Sequence, residues 1–232
     1  MTDFTRFDLQ DGIATITMDD GKANAFGFDM MQAISRNLTR AANEATSVVI
    51  TGRPGVLCAG FDLKLMKTAP ERVSEMVATG AKLLAQILTH PQPVIIAASG
   101  HAMAAGGLLM LTGDHRIGAA GDFKLGLNET AIGMVMPDFG VELARYCLGE
   151  HNLTAAVLCA RLYGPQEAVS VGYLDEVSTP EALLETALAR AAALQSLDLR
   201  AYAGSKKKLR QPVADKMLAS LTKDNLNIAA RA

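Results

Sequence analysis

Leu57-Cys58-Ala59-Gly60-Phe61-Asp62-Leu63-Lys64 and Gly100-His101-Ala102-Met103-Ala104-Ala105-Gly106-Gly107-Leu108-Leu109 decide the reading of this chain. Each stretch leaves a short apolar run that reads as a buried strand, Ser47–Thr51 in the first case and Pro93–Ala98 in the second. The first passes through a loop, Gly52–Gly60, with three glycines and turns into a helix at Phe61–Leu63. The second turns into a buried helix over Ala105–Thr112. A helix start presents backbone N–H groups without intrahelical acceptors, and these suit a negative oxygen. Two such turns could converge on one oxygen atom and stabilise an enolate or a tetrahedral intermediate. Taken singly, each also reads as a tightly packed strand-to-helix connection.

A third stretch, Gly126-Leu127-Asn128-Glu129-Thr130-Ala131-Ile132-Gly133, carries a lone carboxylate among apolar neighbours. In a desolvated pocket Glu129 would hold its proton to higher pH and could shuttle protons near neutrality. Alone, it reads better as an acid favoured by the positive end of a helix.

Outward from these stretches, Phe4–Leu9 and Ile13–Met18 read as a hairpin around Asp11-Gly12. Phe28–Ala42 and Pro70–Leu88 have helical spacing, and His115–Ala119 and Phe123–Leu125 read as strands. Helices dominate from Asp138. Thr179-Pro180-Glu181 reads as a helix start, and the chain looks helical from Pro180 to Ala232. Strands and helices alternating before a helical tail predict an α/β core with an all-α extension, divided as 1–178 and 179–232. The apolar stripe of the tail (Leu183, Leu184, Ala187, Leu188, Ala191, Leu194) could pack on its own core or on another subunit.

Composition removes several function classes. Of 232 residues, 50% are hydrophobic, so a sizeable core can form. Lys and Arg number 22 against 24 Asp and Glu, which gives no global pull toward nucleic acid or an anionic membrane. Trp is absent and aromatics are 5%, which argues against base-stacking platforms. The three cysteines, Cys58, Cys147 and Cys159, lack close pairing and point to a reducing, cytoplasmic setting. Met1-Thr2-Asp3 carries no basic targeting region, and Ala230-Arg231-Ala232 is not a peroxisomal address. Val94–Leu111 is free of formal charge and at the edge of membrane-spanning length, but Ser99, Gly100, His101, Gly106 and Gly107 interrupt it, so no span is expected.

No zinc-type C-x-x-C or H-E-x-x-H, no nucleotide-phosphate glycine motif and no G-x-S-x-G elbow occurs. Ser99 and His101 are neighbours whose side chains a strand-turn points apart. His90, His115 and His151 suggest turn or surface roles. Lys206-Lys207-Lys208 reads first as a solvated helical face, and second as a charge patch that could hold a phosphate.

In this order and spacing the segments resemble the crotonase family, the enoyl-CoA hydratase/isomerase superfamily. The resemblance covers nearly the whole chain. It begins at Lys22-Ala23-Asn24-Ala25-Phe26 and takes in the C-A-G-F-D-L-K loop and the G-x-A-x-A-x-G-G turn with Asp114 following. It ends with G-L-N-E-T and Ala168–Val177, A-V-S-V-G-Y-L-D-E-V. The resemblance implies a spiral of ββα units with a C-terminal helical region that builds a homotrimer or a dimer of trimers. It implies an acyl-CoA thioester as substrate, with no metal and no redox cofactor. The backbone N–H groups of Phe61 and Ala105 would hold the thioester oxygen. Ala59, Asp62, Leu63 and Lys64 would line the CoA channel, and Lys206–Lys208 could meet CoA phosphates.

Two departures from the family pattern bear on the reaction. Hydratases of the family carry two glutamates, and the position of the first is Leu108 here, beside the substrate, while the second is Glu129. The pair Leu108-Leu109 with Asn128-Glu129-Thr130 resembles Δ3,Δ2-enoyl-CoA isomerases, in which one glutamate does all the proton work. The family's usual glycine at the second oxyanion position is Ala105, whose N–H survives if the backbone there needs no positive φ. A hydratase recruiting Asp138 or Glu142 is the nearest alternative. A thioester hydrolase, dehalogenase or decarboxylase using Asp138 is a further one, and a non-catalytic acyl-CoA-binding subunit is the reading outside enzymology.

Overall fold

The computed structural model describes residues 4–222 and Leu226. The stretches Met1-Thr2-Asp3 and Ala230-Arg231-Ala232, and the expected helix beyond residue 222, lie outside the described residues. The chain opens with an antiparallel hairpin, β1 (Thr5–Gln10) and β2 (Ile13–Met18), with Gln10 paired to Ile13. Asp11 and Gly12 both take positive φ, 51° and 76°. This is the mirror-image turn that matches strand twist, and Asp-Gly is a favoured pair for it. Helix α1 (Phe28–Glu44) follows and buries Met30, Met31, Ile34, Leu38 and Ala41, its apolar stripe.

Three successive turns of chain then each give one strand to a large sheet and the next strand to a small one. The first turn is β3 (Ser47–Gly52) and β4 (Gly55–Cys58), followed by α2 (Leu63–Thr68), a 3₁₀ turn (Pro70–Arg72) and α3 (Val73–Leu88). The second is β5 (Val94–Ala98), β6 (Gly100–Met103) and α4 (Ala105–Leu111). The third is β7 (His115–Ala119), β8 (Leu125–Gly126), a 3₁₀ turn (Thr130–Ile132) and α5 (Asp138–Cys147). With β9 (Glu176–Ser178) the large sheet runs β1-β2-β3-β5-β7-β9, and the small one β4-β6-β8. Every pairing after the hairpin is parallel. This is the ββα spiral, and it corrects the reading of Gly52–Gly60 as loop throughout, because β4 lies inside it. Val94–Leu111 resolves into two strands and a seven-residue helix. Among the described residues no helix is long and apolar enough to cross a membrane.

The C-terminal region folds back on its own core. After α6 (Glu150–Leu153), a π-helical turn (Thr154–Leu158) and α7 (Pro165–Val171), helix α8 (Leu183–Gln195) covers the outer face of the large sheet. Its Leu183, Ala187 and Ala191 pack with Ile13, Val49, Ile95, Ala97 and Ile117. Thr179-Pro180-Glu181 does not start that helix. Thr179 Oγ1 accepts the Ala182 N–H at 3.3 Å and closes a turn before it. Nor is the tail one helix: Asp198 caps a separate α9 (Leu199–Ala219) by accepting from Arg200 and Ala201 N–H.

Helix α9 carries the largest correction. Lys206 is neither on a solvated face nor free for a phosphate. Its Nζ is buried, 2.6 Å from Asp114 Oδ2 and 3.1 Å from the Gln92 carbonyl oxygen. Arg210 Nη1 stands 2.8 Å from Asp114 Oδ1, and the Val94 N–H donates to the same carboxylate at 2.6 Å. Asp114 thus ties α9 to the start of β5, while Lys207 and Lys208 remain exposed. His90 is also buried, against the Leu38 carbonyl oxygen at 3.1 Å, not on the surface.

Candidate active site

The site begins at Asn24. Fully buried, with φ at 51°, it donates from Nδ2 to the carbonyl oxygens of Met18 and Leu57. Its Oδ1 accepts the Asp20 N–H at 3.0 Å. Asn24 thereby fastens the hairpin to the end of β4 and lays residues 23–26 beside 59–62. Ala59 N–H donates to Ala23 O at 3.0 Å, Phe26 N–H to Gly60 O at 2.8 Å, and Asp62 N–H to Phe26 O at 3.3 Å. In this parallel bridge Phe26 engages the groups flanking Phe61, so the N–H of Phe61 itself points away from Phe26. This corrects the expected origin of that free donor. The helix starts after it, at Leu63, and the first helical N–H groups are already taken, because Asp62 Oδ1 accepts from Lys64 (2.8 Å) and Leu65 (3.1 Å).

The second turn lies directly against the first. A Cβ on Gly60 (φ 106°) would stand 2.9 Å from Ala104 Cβ and 3.6 Å from Ala105 N. A Cβ on Gly106 would overlap the Cys58 carbonyl oxygen, so only glycine lets α4 start this close to β4. Ala105 keeps a negative φ and its N–H, at the first position of α4, has no intrahelical acceptor. The strain falls one residue earlier. Ala104 has φ 52° and ψ −124°, a region that disfavours a side chain, and this ψ aims the peptide that carries the Ala105 N–H. The turn is held from both ends, by Ala104 N–H to Gly126 O and Leu108 N–H to Ala104 O, both 3.0 Å. Replacing Ala104 by Gly should relieve the strain at the expense of unfolded-chain entropy. We expect urea unfolding to show the variant at least as stable as the parent, by up to about 1 kcal/mol.

A cavity of about 230 Å³ opens beside these turns. Ala59, Phe61, Leu63, Met66, Met103 and Ala104 form one wall, and Asn128, Glu129, Ile132, Met134, Val135 and Pro137 the other. Glu129 is the one titratable side chain among the described residues on these walls. It is 6% exposed, its Oε2 has no hydrogen-bond partner, and burial pushes its carboxyl up to about 7. The expected residues therefore separate into three groups. Ala59, Phe61, Leu63 and Glu129 share the cavity. Asp62 and Lys64 face an adjoining polar hollow of about 760 Å³, with Lys22 and Arg72 on its rim. Ala105 and Leu108 are fully buried behind the cavity wall, Leu108 against Gly140 of α5.

Asp138 and Glu142 do not join Glu129. Asp138 is exposed at the start of α5 and neither lines the cavity. Sequence reasoning missed Met66, Met103, Ile132, Met134, Val135 and Pro137, the last three within the Met134-Val135-Met136-Pro137 run. The apolar density of that run, one turn after Glu129, was the available signal.

The fold is matched elsewhere. The sequence profile described as "Enoyl-CoA hydratase/isomerase" fits residues 8–230. The chain belongs to the enoyl-CoA hydratase/isomerase family. A crystal structure of a family member from Pseudomonas syringae superposes with a TM-score of 0.93 at 39% identity, covering 97% of both chains. The apo enoyl-CoA isomerase of Mycobacterium tuberculosis gives 0.91 at 33% identity, over 97% of this chain and 98% of that one. Human mitochondrial enoyl-CoA delta isomerase 1 is 25% identical over 224 residues, 94% of this chain. The chain spans between 59% and 74% of the length of the mammalian delta isomerases it matches. It is a crotonase-fold enzyme of this family.

Proposed function

We propose that this enzyme moves the double bond of a 3-enoyl-CoA to the 2-position with Glu129 as its single proton shuttle. The observation that supports the reading is the lone buried carboxylate on a largely apolar cavity that also takes in Phe61 and Ala104. The acyl chain enters the cavity, and the CoA moiety lies across the polar hollow, where Lys22 and Lys64 offer charge to its phosphates. The N–H of Phe61 on the cavity wall, together with that of Ala105 just behind the lining residue Ala104, receives the thioester oxygen once substrate is bound. Glu129 breaks the C2–H bond and takes the proton, and the electron pair moves into a dienolate whose negative oxygen faces those two donors. Each such donor is typically worth about 3–4 kcal/mol. The carboxylic acid then gives the proton to C4, the double bond settles between C2 and C3, and the thioester carbonyl reforms. Leu108 supplies no second carboxylate, and the apolar surroundings keep water from the dienolate.

A base must be ionised before it can act, and Glu129 sits near 7 in the folded protein. We therefore expect kcat/KM for 3-hexenoyl-CoA to rise with pH through a midpoint near 7 and level off above it. The conjugated product can be followed by its ultraviolet absorbance. A flat profile from pH 5.5 to 8.5, or no turnover, would overturn this role of Glu129.

A further inference from the structure

Behind the cavity wall three polar atoms are buried without a hydrogen-bond partner: Glu129 Oε2, Asn128 Oδ1 and Tyr173 Oη. Two are adjacent in sequence and border one cavity. The third belongs to Tyr173, just past α7. Tyr173 follows Gly172, which ends that helix with φ 100°, and is anchored by its N–H to Ala168 O at 2.9 Å. Its ring lies 5.7 Å from that of Tyr163, and Tyr163 is bonded in both directions to Leu125 of β8 (3.0 and 2.9 Å). The hydroxyl consequently faces the Leu127–Glu129 stretch that leaves β8, with the Leu127 N–H and the Glu129 carboxylate acting on it. This tyrosine is wholly buried.

The three groups are complementary in number and kind. A carboxylate oxygen and an amide oxygen need donors, while a tyrosine hydroxyl needs an acceptor. One water placed among them would satisfy all three by donating twice and accepting once, and a buried water typically makes about three hydrogen bonds. We propose that Tyr173 is a positioning residue for Glu129, acting through one buried water that accepts from Tyr173 and donates to Glu129 and Asn128. This rests on the reading of Glu129 as the base. The water favours the ionised carboxylate and holds it in one orientation toward the substrate. Unlike Glu129, Tyr173 touches no reacting atom.

Few other charges face this region. Tyr163 stands behind Tyr173, and Arg161 lies over the Tyr163 ring and is paired with Glu167. Across the cavity Lys64 and Lys67 of α2 point to solvent, and Asp138 of α5 is exposed. The Glu129 titration should therefore report chiefly on burial and on this bridge.

The test is an infrared titration of the carboxyl stretch in the parent and in Tyr173→Phe, with Glu129→Gln to identify the band. Phe keeps the ring against Tyr163 and removes only the hydroxyl. The protonation midpoint of Glu129 should rise by about half a pH unit or more in Tyr173→Phe, and the kcat/KM profile should move with it. An unchanged midpoint would overturn the proposal. If that variant does not fold, a high-resolution crystal structure of the parent decides. Density within hydrogen-bond distance of all three atoms supports the bridge, and its absence overturns it. The titration needs no turnover, so a shifted midpoint in a protein inert toward 3-enoyl-CoA would retain Tyr173 as the positioning residue and reject the reaction.

Discussion

Replacing Glu129 by Gln should lower kcat for 3-hexenoyl-CoA by about 10³-fold or more while KM changes little. The amide has nearly the carboxylate's shape but cannot take a proton from C2, and no second carboxylate borders the cavity among the described residues to replace it. The same substitution should stabilise the fold at high pH, and the sign follows from the buried carboxyl. Below about pH 3.5, Glu129 is neutral in both the folded and the unfolded chain. Between 4.5 and about 7 the unfolded chain releases the proton while the folded protein retains it, so stability falls as pH rises. Above about 7 the deficit is complete. At about 1.4 kcal/mol per pH unit it amounts to about 3 kcal/mol at most. The variant carries no such deficit. Its Tm should exceed the parent's clearly at pH 8, and the difference should shrink toward zero as the pH falls below about 4. A variant that keeps most of its activity, or that loses it only because it unfolds, would contradict this account.

The second large effect lies far from the cavity. Among the described residues Asp114 is the one acid paired with both Lys206 and Arg210, and the side chains of Lys206 and Asp114 are 4% and 8% exposed. Asp114→Ala would leave the buried Lys206 and the partly buried Arg210 without a counter-charge and the Val94 N–H without its acceptor. Breaking such a pair from one side typically costs about 3–5 kcal/mol. Urea unfolding should show a loss of that size. Adding Lys206→Met should recover part of it, since the second change removes one orphaned charge and leaves an apolar chain in its place. A loss below about 1 kcal/mol for Asp114→Ala would show that water reaches the pair and that α9 is held by apolar packing instead.

These two sites mark what the sequence could and could not reveal. The alternating hairpin, the apolar strands β3, β5 and β7, and the small-residue turns were readable because periodicity and glycine spacing report local geometry directly. Glu129 was readable only together with the other two segments, because alone it reads better as an acid favoured by a helix start. Strands β4 and β6 hid within the glycine-bearing turns because four residues are too few to show alternation. The free N–H of Phe61 was expected for a different reason, since the bridge to Phe26 depends on Asn24, many residues earlier in the chain. Lys206 looked like part of a solvated run because its partner, Asp114, is 92 residues distant in sequence. The methionine wall and Tyr173 share that character, because each acquires its role only when distant segments meet.

The central claim is that one buried carboxylate moves a proton along the acyl chain and adds no water. The most direct test incubates the enzyme with 3-hexenoyl-CoA and, separately, with crotonyl-CoA in deuterated water, and identifies the products by mass and NMR. The account predicts 2-hexenoyl-CoA from the first and no hydration of the second. Formation of 3-hydroxybutyryl-CoA from crotonyl-CoA at a comparable rate would contradict it.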